Sequence, residues 1–257
     1  MANSAEYYIR IKMTDMANKR INVWSSPRNI STAFMYSFAQ RSDTTVVDEP
    51  LYAHYLTKTE SEARHPGTAE VLASQDADGE RVVADVIFGT YPTPVALFKQ
   101  MTHHLIQLDW RFMLKTENVM LIRDPKEIIH SYSKVIPNPR MQDVGVEQQF
   151  ELFQFLQKNG VLNAVVDARE LLLAPENVLA KLCERLGIEF DKNMLHWPPG
   201  PRPEDGVWAK YWYGNVHRST GFQKYEYREI HLSPSLEQLA EQCRPYYERL
   251  LEEAIRA

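Results

Sequence analysis

Five short apolar runs, interleaved with stretches of helical pattern, constrain this chain more than any other feature. The runs occupy residues 21–25, 45–47, 95–99, 119–122 and 163–166. None of them alternates apolar with polar residues, as a strand with one wet face would. Between them, residues 31–41 place Phe34, Met35 and Phe38 at helical spacing. Asp124 and Pro125 open another helix, with Asp as the cap and Pro at the first helical position. Pro175–Leu186 aligns Val178, Leu179, Leu182, Cys183 and Leu186 on one face and stops at Gly187. A last helical pattern begins near Pro234 and turns Leu236, Leu239, Cys243, Tyr247 and Leu250 inward. Alternation of this kind predicts parallel βαβ units. The expected fold is α/β: one three-layer domain with a central parallel sheet of about five strands flanked by helices.

Length and charge narrow the classes. A chain of 257 residues suits one domain, 1–257. Lys and Arg number 29 against 34 Asp and Glu, a net charge of −5. That balance disfavours a nucleic-acid polymer as partner. Cys183 and Cys243 lie far apart, without metal spacing or a disulfide framework, which fits a reducing, cytoplasmic setting. No run of about 18 apolar residues predicts a membrane span, and the N-terminal stretch 1–19, read as an extension, lacks a secretory apolar core. Two longer stretches break the βα rhythm. Residues 57–85 are polar, with Asp76, Asp78, Gly79 and Glu80 clustered, and residues 197–213 are rich in Pro and Trp. Taken with their flanks, 57–90 and 191–231, they are expected to shape or cover a site.

Parallel sheets bind ligands at the carboxyl ends of their strands. The first such end carries Ser25-Ser26-Pro27-Arg28-Asn29-Ile30-Ser31-Thr32. A helix N-terminus with Arg28, Asn29 and two hydroxyls beside it suits an anion. The plainer alternative is that Ser31 or Thr32 caps the helix while Arg28 is solvated. No Gly-x4-Gly-Lys-Ser/Thr pattern is present, which argues against a metal-nucleotide site of the usual kind. The fourth run ends in Arg123-Asp124-Pro125, with Ser131 two turns into the following helix. An Arg and a Ser so placed can pinch one phosphate from two sides.

Arg-Asp-Pro with Ser eight residues after the Arg resembles the 3′-phosphate site of sulfotransferases that use PAPS, 3′-phosphoadenosine 5′-phosphosulfate. Pro27-Arg28-x-x-Ser31-Thr32 resembles the 5′-phosphosulfate loop of the same family. Asp48-Glu49-Pro50-Leu51-Tyr52 resembles the Glu-Pro-Leu stretch of its carbohydrate-type members, and Val166–Leu171 with the helix to Gly187 resembles its strand-helix unit. Together these cover most of residues 21–190. The chain departs from the family at Asn29-Ile30, where Ser-Gly is usual, and at Arg28, where Lys is common. Phe98-Lys99-Gln100-Met101-Thr102-His103-His104 stands where a Lys-Thr-His motif is found elsewhere.

The resemblance implies a P-loop-like fold and transfer of a sulfuryl group from PAPS to a hydroxyl or amine of a small-molecule acceptor. It implies that Arg28, Asn29, Ser31 and Thr32 hold the 5′-phosphosulfate, and Arg123 and Ser131 the 3′-phosphate. Lys99 is expected to reach the phosphosulfate. A base must take the acceptor's proton, and two candidates remain open. Glu49 ends a strand before a Pro, and His103 titrates near neutrality. Adjacent histidines on an α-helix point about 100° apart, so one of His103 and His104 is expected to face the site. Their i,i+1 spacing is poor for a metal, and none is expected. The alternatives are a small-molecule kinase, which lacks its phosphate loop here, and a non-catalytic nucleotide-binding module, left open by Ile30. His217 to Phe222 reads as a surface turn, with closure over the 3′-phosphate as the alternative. Nothing in the sequence names the acceptor or the oligomeric state.

Overall fold

The computed structural model describes residues 19–59, 65–134 and 138–257. The N-terminal extension therefore lies outside the described residues except for Lys19, as do residues 60–64 of the first polar stretch. Strands β1 (Lys19–Ser25), β2 (Thr44–Asp48), β3 (Val95–Met101), β4 (Glu117–Ile122) and β5 (Leu162–Asp167) form one sheet in the order β2-β3-β1-β4-β5. Every pairing is parallel. Each predicted run lies within a strand, and hydrogen bonding extends each by two residues.

The three layers follow from the two-residue period of strands. Ile21 and Val23, Leu97, Val119 and Leu121, and Val166 point to one face. There they meet helix α1 (Ser31–Phe38) through Phe34 and Phe38, and helix α6 (Pro175–Leu186) through Leu179 and Leu182. Trp24, Phe98, Met120, Ile122 and Val165 point to the other. That face is covered by helix α5 (Val146–Lys158) through Leu152 and Phe153, and by the end of helix α7 (Pro234–Glu252) through Leu250. Strands buried on both faces have no polar face to show, which is why the runs do not alternate.

Local signals place the ends. Helix α4 (Pro125–Tyr132) starts as expected: the Asp124 carboxylate accepts from the Lys126 N–H at 2.8 Å, and Pro125 occupies the first turn. Helix α6 ends at Gly187, whose φ of 62° suits a residue without a side chain. In α7 Leu239, Cys243 and Leu250 are buried, and Leu236 and Tyr247 are half-buried. Between β2 and β3 lie helices α2 (Tyr52–Lys58) and α3 (Thr68–Ser74). The stretch 57–90 divides. Its second half sends Val82 and Ile87 into the core, and the Arg20 guanidinium holds it by donating to the Ile87, Phe88 and Gly89 carbonyls.

Candidate active site

A cavity of about 800 Å³ opens over the carboxyl edge of the sheet. Every predicted site residue borders it: Arg28, Asn29, Ser31, Thr32, Glu49, Lys99, His103, Arg123 and Ser131. The register explains the convergence. Asp48 pairs with Lys99, Ser25 with Met101, and Ser25 with Leu121, so four strands end at one level.

The cationic end is built from the loops after β1 and β4. The Arg28 Nε donates to Ser131 Oγ at 3.1 Å, across 103 residues of sequence. Arg123 donates through Nη1 to the Arg28 carbonyl at 2.9 Å and through Nε to Glu127 at 2.8 Å. Among the described residues no carboxylate pairs with Arg28. Burial, and then the Arg123 charge, lower its pKa, so an anion placed here relieves both. Arg28 holds φ at 57°, a region costly for residues with a side chain, and its neighbours fix it there.

Helix α1 begins in this loop without any side-chain cap. The plainer reading of Ser31 and Thr32 as caps is therefore not what the structure shows, and the helix start from Ile30 to Ala33 borders the cavity. Asn29 borders the cavity and also anchors the loop. Its amide donates to the Leu121 carbonyl at 3.0 Å and accepts from the Ile30 N–H at 2.8 Å, so the side chain holds the turn. That anchorage shapes the loop where Gly is absent.

The other end centres on a buried charge cluster. Lys99, 1% exposed, donates to Asp48 at 2.9 Å, to the Tyr213 hydroxyl at 2.7 Å and to Glu49. All three ammonium protons are thereby used. Lys99, expected to reach a phosphosulfate, borders the cavity with its ammonium bound to two carboxylates and a phenol. Burial alone would lower the Lys99 pKa, but Asp48 and Glu49 raise it overall, so the ammonium persists. Two carboxylates share one cation, and burial together with Asp48 pushes the Glu49 pKa up. Tyr213 donates in turn to Asp48 at 2.7 Å and accepts from Trp208 Nε1 at 3.0 Å. Glu49 stands at φ 39°, held by its N–H on the Lys99 carbonyl at 2.9 Å and by the Gln75 amide on its own carbonyl at 3.1 Å.

His103 and His104 lie in a 3-10 turn, Thr102–Leu105, rather than an α-helix. Both border the cavity, which corrects the expectation that one would. The His104 ring is stacked against both Tyr52 and Tyr55, at 4.9 and 4.8 Å, with Nε2 4.0 Å from Glu49. His103 meets Tyr55 edge-on at 4.8 Å, and burial, then His65, push its pKa down to about 3. An unfolded chain protonates the same imidazole near its ordinary value, so acid favours unfolding between those limits. Stability is expected to fall by about 1–2 kcal/mol from pH 7 to pH 5 through His103. Urea midpoints at the two pH values measure this, and His103→Gln should shrink the difference; an undiminished difference contradicts it.

Sequence reasoning missed Tyr55, His65 and Arg140, all of which border the cavity. The i,i+3 spacing of Tyr52 and Tyr55 after Glu49-Pro50 was the available signal for Tyr55. Of the stretch 57–90, Thr59 and His65 reach the cavity; of 191–231, Trp208, Trp212, Tyr213 and residues from 215 to 223 do. The Arg218 guanidinium donates to Asn215, while Ser219, Gly221 and Phe222 of the same segment border the cavity.

A family model described as a sulfotransferase domain matches residues 19–253. The chain belongs to the sulfotransferase domain family. Two Arabidopsis thaliana proteins resemble this sulfotransferase domain in sequence. Branched-chain-amino-acid aminotransferase-like protein 1 is 44% identical over 203 residues, 79% of this chain and 36% of that protein. Branched-chain-amino-acid aminotransferase-like protein 2 is 39% identical over 233 residues, 88% of this chain and 40% of that protein. The sulfotransferase domain thus spans well under half the length of these curated relatives. Solved structures share the fold. A sulfotransferase from Alicyclobacillus acidocaldarius has a TM-score of 0.55 at 11% identity, covering 93% of this chain and 98% of that one. The sulfotransferase domain of the curacin biosynthetic pathway has a TM-score of 0.53 at 16% identity, covering 88% and 98%. Among the described residues no helix is long and apolar enough to cross a membrane.

Proposed function

We propose that this sulfotransferase domain takes PAPS as donor and transfers its sulfuryl group to a hydroxyl of a small acceptor, with Glu49 as the base. The observation that carries the reading is the hydrogen bond between Arg28 and Ser131, which joins the two predicted phosphate motifs at one end of the cavity. PAPS supplies the sulfuryl group and an anionic phosphate leaving group. Arg123 and Ser131 are assigned to the 3′-phosphate, and Arg28, expected at the 5′-phosphosulfate, is reassigned to the 3′-phosphate because its Nε donates to Ser131 Oγ. Ser31, Thr32 and the first N–H groups of α1 are assigned to the 5′-phosphosulfate. Asn29 holds that turn through Leu121.

The choice between Glu49 and His103 favours Glu49. His103, with a pKa near 3, holds a proton poorly, because burial penalises the imidazolium. Glu49 has its proton affinity raised by burial and by Asp48. When Glu49 takes a proton, the cluster passes from two carboxylates and one ammonium to one of each. Lys99 then remains balanced by Asp48.

The donor assignment is tested by the affinity of the desulfated product, adenosine 3′,5′-bisphosphate (PAP). Arg123→Ala should weaken it more than about tenfold, because a partly buried charge-assisted contact is lost. Unchanged affinity would remove Arg123 from the site. Sulfuryl transfer from PAPS should persist in EDTA with Glu49 intact; a strict requirement for Mg²⁺ and ATP would instead favour the kinase reading.

A further inference from the structure

We infer that the acceptor is an uncharged molecule that carries its hydroxyl on a flat or otherwise apolar body. The inference rests on the donor reading above and names the substrate class of the same site. The cavity has two chemically different ends. Guanidinium groups collect at the α1 and α4 end. Around Glu49 the walls are rings: Tyr52, Tyr55, His104, Trp208 and Trp212. Tyr52 meets Trp208 edge-on at 5.1 Å, and the His104 ring lies stacked against both tyrosines. Such walls bind flat or apolar surfaces by area and ring geometry.

Most polar atoms of this end are already engaged with protein, His104 Nδ1 being buried without a partner. The Tyr52 hydroxyl is hydrogen-bonded to His65 Nδ1 at 2.9 Å. Thr59 Oγ1 donates to the Tyr55 carbonyl at 3.0 Å. Trp208 Nε1 donates to Tyr213, and Tyr213 to Asp48. A polyhydroxylated sugar would give up its water at each hydroxyl and find few partners in return. Among the described residues of this end, an anionic acceptor meets no uncommitted cation. Lys99 is consumed by two carboxylates, His103 is held neutral, and Glu49 repels negative charge. A basic amine would reach Glu49 as an ammonium, without the lone pair that attack on sulfur requires. A single neutral hydroxyl, aimed at Glu49 from an apolar body, meets none of these penalties.

The test is calorimetric titration of a matched series into the full chain saturated with PAP. The probes are 2-naphthol, its anionic counterpart 6-hydroxynaphthalene-2-sulfonate, methyl glucoside and phenethylamine. 2-Naphthol should bind at least about tenfold more tightly than each of the others. Tyr55→Ala should weaken 2-naphthol at least about fivefold and leave PAP within about twofold, since Tyr55 packs on the histidines and not on the guanidinium end. Equal or tighter binding of the glucoside, the sulfonate or the amine overturns the inference, as does an unchanged 2-naphthol affinity in Tyr55→Ala. The wild-type series stands by itself if that variant does not fold. Failure of PAP to bind counts against the donor assignment instead. The same order of affinities is then required of the protein without PAP, and any other order overturns the inference there too.

Discussion

Glu49→Gln should lower the turnover of sulfuryl transfer by about 10²–10⁴-fold while leaving PAP affinity within about twofold. The amide keeps the shape of the side chain and the left-handed backbone that Gln75 and Lys99 hold in place. It removes the group that accepts the proton. The effect on stability should be small, because Gln relieves a cluster in which two carboxylates share one ammonium. Rapid-quench assays with PAPS and the best acceptor measure turnover, and calorimetry measures PAP affinity. A variant that retains full turnover removes Glu49 as base. His103→Gln is the matched control and should cost far less, since that imidazole is held neutral by burial.

Lys99→Met should destabilise the fold by about 3–5 kcal/mol, the usual consequence of leaving buried carboxylates without their cation. Lys99 is 1% exposed and meets Asp48, Glu49 and Tyr213 at once. Glu49→Gln in the same background should recover part of that loss, because one of the two stranded charges disappears. Urea denaturation of the two single variants and the double variant gives the coupling. Additive effects would mean that Lys99 and Glu49 do not share charge. A Lys99→Met protein as stable as the wild type would contradict the buried cluster altogether.

The layers were legible because the residues that build them carry local signals. Val23 and Trp24 are adjacent and both apolar, and they go to opposite cores. Asp124-Pro125 and Gly187 mark a helix start and a helix stop that the structure keeps. The two loops assigned to the phosphates could be placed on the cavity for the same reason, since each sits in one short segment after one strand. The acid-base end was less legible. Lys99 stands 50 residues from Glu49 and 114 from Tyr213 in sequence, and only the register of β2 against β3 brings the carboxylates to it. A lysine ending an apolar strand reads as a free cation until those partners are seen. The anchoring bond of Asn29 was not legible because its acceptor, the Leu121 carbonyl, lies on another strand. His103 and His104 were read with α-helical angles, whereas the chain there turns more tightly.

The most direct measurement of the central claim is calorimetric titration of the protein with PAP in EDTA, with AMP and ATP as controls. Micromolar binding of PAP that collapses for AMP, which lacks the 3′-phosphate, is the result required of Arg28, Arg123 and Ser131 acting together. Equal binding of PAP and AMP, or tighter binding of ATP once Mg²⁺ is restored, would contradict it.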